Sequence, residues 1–121
     1  MKQRFRLTRS IDFKRVRNQG KSYAHPLVVL VKLPSTEDRP RVGISTSRSV
    51  GGAVQRNRVK RLLRESVRPL IPLLSPGWDI VLVARTPLQT AVFQDVQSAV
   101  ELLLRRAGLT SPVGEQSLNV R

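Results

Sequence analysis

The segment Trp78 to Ala84, WDIVLVA, constrains the architecture of this chain more than any other. Its apolar residues run on without alternating, which is the pattern of a strand buried on both faces. A strand of that kind sits in a layered structure with helices packed against the sheet. The rest of the chain supplies the layers. Ser10 can cap a short helix over Ile11 to Gln19, with Gly20 as its stop. Leu27 to Leu33 is a β-rich apolar run closed by Pro34, and Arg41 to Ser47 alternates, with Val42 and Ile44 on one face and Gly43 and Ser45 on the other. Gly51-Gly52 breaks the chain before a helical pattern from Ala53 to about Leu70, ended by Pro69 and Pro72. A last helix runs from near Thr90 to Arg106, with Val92, Val96, Val100 and Leu103 as its apolar repeat. The order α, two or three strands, α, β, α is that of an α+β or α/β sandwich. At 121 residues the chain fits one domain, placed at 1–108, with 109–121 as a flexible C-terminal tail.

Charge limits what such a domain can do. The chain carries 22 Lys and Arg against 8 Asp and Glu, a formal net charge of +14. Residues 1–21 hold eight cations and one acid, and residues 39–68 hold nine cations and one acid, whereas residues 69–121 are balanced. A solubility device would be spread evenly; two blocks point to one surface assembled by folding that seeks a polyanion, nucleic acid first. With no cysteine and one histidine, His25, the chain excludes disulfides, Cys-ligated zinc and Cys nucleophiles, and leaves little for His-based chemistry. The acids Asp12, Glu65, Asp79, Asp95 and Glu101 are scattered across elements without metal-ligand or acid–base spacing, so no catalytic or metal-binding residue is expected. No apolar region follows the basic start, and runs such as Leu27 to Val31 fall far below the ~20 residues of a membrane span. A cytoplasmic protein is expected.

The second helix concentrates the signal. At 100° per residue, Val59, Leu62, Leu63, Ser66, Val67 and Leu70 form one stripe, while Asn57, Arg61, Arg64 and Arg68 fall opposite, with Lys60 flanking and Arg56 and Arg58 around Asn57. A solvated charged face is the ordinary explanation of such a pattern. Here the arginines repel one another and Glu65 is the only internal acid to relieve them, so phosphates across from the face explain it better.

The segment Arg41 to Glu65, RVGISTSRSVGGAVQRNRVKRLLRE, resembles the signature of the protein subunit of bacterial ribonuclease P. The motif is Arg56-Asn57-Arg58 followed by Lys60, Arg61 and Arg64, preceded by a strand and a Gly-containing turn. Arg6-Leu7, Asp12-Phe13, His25-Pro26-Leu27, Trp78-Asp79-Ile80-Val81 and Ala84-Arg85 extend the resemblance over about residues 4–106. It implies an α+β fold, an α-β sandwich of order αβββαβα around a small mixed four-stranded sheet, with an edge strand near Lys21–Ala24. It further implies a non-catalytic protein. The partner, a catalytic RNA, cleaves precursor tRNA with Mg²⁺ that the RNA mainly binds, releasing the 5′ leader; no further protein partner is required.

Two surfaces follow from the resemblance. Arg56, Asn57, Arg58, Lys60, Arg61, Arg64 and Arg68 would face the catalytic RNA. Arg9, Phe13 and Arg17 would line a cleft between the first helix and the sheet that holds the single-stranded leader, Phe13 as a stacking platform and the arginines on phosphates. Each residue also has an ordinary reading: Phe13 as core, Arg9 and Arg17 as solvated, Asn57 as a helix cap, Gly51-Gly52 as a turn, His25 as a loop residue, Trp78 and Phe93 as core. The chain departs from the family pattern at Arg17 and at Leu30-Val31, where aromatics are common, and at Ser49, where a basic residue is frequent. A ribosomal or other structural RNA-binding protein is the competing function. A helix-turn-helix is disfavoured because strands flank the basic helix, and a membrane-surface role because that helix's apolar face lacks Trp and Phe.

Overall fold

Strand-forming Val, Ile and Leu residues of WDIVLVA pair on both sides, and the sheet is built outward from them. In the computed structural model, which describes residues 2–110, the elements are α1 (Ser10–Gln19), β1 (Lys21–Ala24), β2 (Val28–Pro34), β3 (Arg41–Thr46), α2 (Ala53–Val67), β4 (Trp78–Ala84) and α3 (Phe93–Arg106). The sheet order is β1-β2-β4-β3. β4 runs antiparallel to β2 and parallel to β3, so it has hydrogen-bonded neighbours on both edges. The expected α-β sandwich of order αβββαβα around a mixed four-stranded sheet is the observed fold.

The two sheet faces have different covers. Val28, Leu30, Val42, Ile80, Leu82 and Ala84 pack with Val59, Leu63 and Val67 of α2 and Val96, Val100, Leu103 and Leu104 of α3. On the other face, Val31 and Val81 pack with Val16 of α1 and with Leu7. Lys32 crosses to the α3 side, donating from Nζ to the carbonyl of Ala107 at 2.5 Å while its ammonium lies over the rings of Tyr23 and Trp78. A cation at the C-terminal end of α3 complements the helix dipole.

Local details correct the sequence reading. Ser10 is the first residue of α1 and not its cap; the N-cap is Arg9, and no side chain bonds the free amides. Gly20 ends α1 with φ −80°, so it is needed for closeness and not for a left-handed turn. A Cβ there would lie 2.5 Å from the Val16 carbonyl oxygen and 2.7 Å from that of Lys32. Gly51 does take the positive φ, 133°, but Gly52 does not. α2 stops at Val67, and Pro69 and Pro72 lie in the 3-10 turn Arg68–Leu73 that follows.

α3 begins at Phe93, later than expected, because Thr86–Thr90 forms a separate 3-10 turn. Val92 becomes an exposed N-cap, and Phe93, expected in the core, is 42% exposed. Leu109, assigned to the tail, is fully buried, so the core extends one residue past the expected boundary. Thr110 is the last described residue, and 111–121 of the expected tail lie outside the described residues.

Candidate nucleic-acid interface

α2 is held to the sheet by Val59, Leu63 and Val67, and the hydroxyl of Ser66, also buried, donates to the Leu62 carbonyl at 2.8 Å. Burying that stripe leaves the rest of the helix circumference outward. Asn57 and Arg61 are exposed on it, with Arg64 and Lys60 half-buried at one flank and Arg58 exposed at the other. Asn57 is one turn inside a helix that starts at Ala53, so it is not a cap. Arg56 donates to the Gly51 carbonyl at 3.1 Å, closing the turn that precedes the helix. Arg58 donates to the Gln89 carbonyl at 2.7 Å, which fixes its guanidinium against the turn before α3. Glu65 pairs with Arg68 at 2.8 Å. Arg68 is therefore the one predicted RNA contact with an acid partner, and among the described residues Lys60, Arg61 and Arg64 have none.

The opposite side of the sheet is organised by a carboxylate. Asp79 sits in β4 with no exposed surface, and Arg41 of β3 clasps it with Nε on Oδ1 and Nη2 on Oδ2, both at 2.8 Å. Arg15 of α1 adds a third bond at 2.5 Å and also reaches Asp12 at 3.4 Å. Burial pushes the Asp79 carboxyl up, but the hydrogen bonds and charges of Arg41 and Arg15 outweigh it and hold the group below the usual carboxylate range. Arg41 is raised in turn by its hydrogen bond to Asp79, against burial. This network pins α1 over β3 and β4.

So pinned, α1 lays Phe13 on Gly43. A Cβ at position 43 would fall 2.5 Å from the ring's Cζ and 2.7 Å from its Cε1, so the glycine is what lets the ring come this close to the strand. Residues before α1 reach the same edge of β3, where the Leu7 amide donates to the Val42 carbonyl at 2.9 Å. Between them lies a cavity of about 210 Å³ lined by Arg6, Leu7, Thr8, Phe13, Val42, Ile44 and Arg64. It brings together one residue predicted for each surface, Phe13 and Arg64.

Arg9 and Arg17 are exposed at the two ends of α1 and do not line this cavity. Arg6 and Thr8 are not among the expected site residues; the sequence shows Arg6 as a cation of the first basic block and as part of the Arg6-Leu7 match, without a role. Beyond α1, Val29, Ser45 and Val83 form the next row across the sheet on the same face and are half-buried. Leu30 and Val31, at the positions where an aromatic is common, are both buried. They add no aromatic surface beside Phe13 on this side of the sheet. Tyr23 packs against the opposite core and lies under Lys21 and Lys32. His25 is the loop residue expected, its Nδ1 accepting the Leu27 amide at 3.0 Å.

Among the described residues no three His, Asp or Glu side chains converge as a metal-ligand set. None of the described helices is long and apolar enough to cross a membrane.

Comparison with known proteins gives this geometry a family. The family model described as Ribonuclease P matches residues 1–108. The ribonuclease P protein component of Herpetosiphon aurantiacus is 42% identical over 104 residues, covering 86% of this chain and 85% of the relative. The solved RNase P protein of Staphylococcus aureus superposes with a TM-score of 0.80 at 30% identity, over 88% of this chain and 98% of that one. That of Thermotoga maritima gives 0.73 at 31%, over 83% and 96%. A basic helix carrying the Arg-Asn-Arg motif, a shared sheet topology and a match across the domain agree: the chain belongs to the ribonuclease P protein family.

Proposed function

We propose that this chain is the protein component of a ribonuclease P ribonucleoprotein that binds the catalytic RNA through α2 and the 5′ leader of precursor tRNA along α1. Cleavage belongs to the RNA, with Mg²⁺ held mainly there, and gives the mature 5′ end. The observation that carries the reading is the cavity at the β3 edge, where Arg64 from the basic helix and Phe13 from α1 meet. An unpaired strand entering there would stack a base on Phe13 while its phosphates meet Arg6 and Arg64, with Arg9 and Arg17 extending the cationic path along α1. Gripping the leader and screening phosphate repulsion would tighten binding of the precursor over the mature product.

The deciding experiment is cleavage of precursor tRNA by a bacterial ribonuclease P RNA at low Mg²⁺, with and without the chain, using long and one-nucleotide leaders. The chain should restore cleavage, more so for the long leader. Charge reversal at Arg9 and Arg17 should then weaken precursor binding and leave mature tRNA binding unchanged; equal losses would remove the leader path. If the chain binds RNA tightly yet leaves cleavage unaffected, a ribosomal or other structural RNA-binding role replaces the proposal.

The RNA-facing side of α2 has its own readout. Neutralising Arg61 or Arg64 should flatten the plot of log K against log salt by about 0.7–0.9 for each phosphate no longer neutralised. An unchanged slope would return that face to solvent.

A further inference from the structure

Phe93 is a large apolar side chain left in the open. It continues the buried stripe of α3, which runs through Val96, Val100 and Leu103, one turn toward the helix N-terminus. There it borders a groove of about 390 Å³ whose other lining residues, Arg58, Arg61, Leu62 and Glu65, all belong to α2. An aromatic side chain and two arginines lining one open groove is not how a helix pair closes a core.

The charges in the groove are already partly assigned. Glu65, the only acid lining it, is paired with Arg68 at 2.8 Å. Arg58 spends one N–H on the Gln89 carbonyl at 2.7 Å and is thereby held beside the start of α3 with its remaining donors unassigned. Arg61, four residues before Glu65, has no ion pair among the described residues. The groove thus offers a partly exposed aromatic ring, an apolar contact at Leu62 and two cations.

We propose that this groove takes one unpaired nucleotide of the RNA partner, its base stacked on Phe93 and its phosphate held by Arg58 and Arg61. Stacking on an aromatic tolerates any base, and guanidinium forks suit phosphate oxygens, so the pair of features matches single-stranded RNA better than an acidic or apolar protein segment. The inference rests on the RNA-binding reading above. It adds a contact on the α3 flank of α2, on the other side of the helix from the Phe13 cavity.

The test is binding of a bacterial ribonuclease P RNA by wild type, Arg64→Ala and Phe93→Ala across a salt series. Arg64→Ala, outside the groove, reports on the underlying reading through its flatter slope. Phe93→Ala should lose about 5- to 150-fold in affinity at every salt concentration, with the slope unchanged, and Phe93→Trp should retain binding. A folded Phe93→Ala with wild-type affinity overturns the groove while leaving the α2 face intact. Wild type that fails to bind overturns the RNA reading itself. Should Phe93→Ala not fold, Phe93→Trp decides. Its added indole emission must be quenched by RNA beyond the change seen for Trp78 in wild type, and unquenched emission overturns the assignment. Self-association that depends on Phe93 and an affinity for RNA that does not would give the groove to a second copy of the chain, which also overturns it.

Discussion

Asp79→Ala should cost about 3–5 kcal/mol of folding stability, the range expected when a buried ion pair loses one partner. Asp79 is wholly buried and answers two arginines from elements on either side of it in the sheet and the helix layer, Arg15 and Arg41. Because both guanidiniums keep some access to water, with 33% and 21% of their side chains exposed, the loss should sit toward the lower end of that range. Denaturant unfolding of the wild type and variant at neutral pH checks this, and a loss below about 1 kcal/mol would mean that the network contributes little. The pH dependence has a definite sign. The folded-state pKa of Asp79 is depressed, so its contribution is full above the unfolded carboxyl value, near 3.9. It fades as pH falls through the lower folded value, and Asp79→Ala should lack this part of the acid destabilisation.

Two close-packed glycines should separate stability from function. Gly20→Ala should cost about 3 kcal/mol, the upper end for overpacking, because the new methyl would meet two backbone carbonyls and Cγ1 of Val31, at 2.5 to 2.7 Å. Backbone cannot swing aside, so α1 must lift from β2. At Gly43 the obstacle is the Phe13 ring, a side chain beside an open cavity. Gly43→Ala should therefore cost only about 1 kcal/mol in unfolding while displacing the ring and reducing the advantage of long-leader over short-leader precursors. Thermal unfolding of both variants beside the two-leader cleavage assay reads this contrast. Equal stability losses, or an unchanged leader preference in Gly43→Ala, would dissociate Phe13 from the leader path.

The elements most legible in the sequence were those whose pattern reflects one dominant environment. WDIVLVA reads as a two-sided strand because β4 has strands on both edges and helices on both faces, and the α2 stripe reads directly because one side of that helix alone meets the core. Asp79 is visible in the sequence as an isolated acid in an apolar run and as part of the Trp78-Asp79-Ile80-Val81 match, and neither names what it pairs with. Its partners lie 38 and 64 residues away, and no local periodicity carries that information. Phe93 was misplaced because the apolar repeat of α3 continues past the point where the helix still has a sheet beneath it, and periodicity does not report what lies opposite. Likewise, the meeting of Phe13 with Arg64 depends on how α1 and α2 approach the β3 edge from different faces. The motif named the basic helix, but only the fold could show that its flank reaches the aromatic.

The strand order also bears on how the chain is made. Of the two interior strands, β4 is the last strand to be synthesised: β2 has β4 as its inner neighbour, and among the described residues β3 pairs with no strand other than β4. Until residues near 84 have left the ribosome, β3 is unpaired, β1 and β2 form only a hairpin, and Arg15 and Arg41 lack their common carboxylate. α3, which closes one face, emerges later still. Nearly all of the domain must therefore be available before any of it is stable, and the nascent chain spends its synthesis as a basic, unfolded polymer beside the RNA of the ribosome itself.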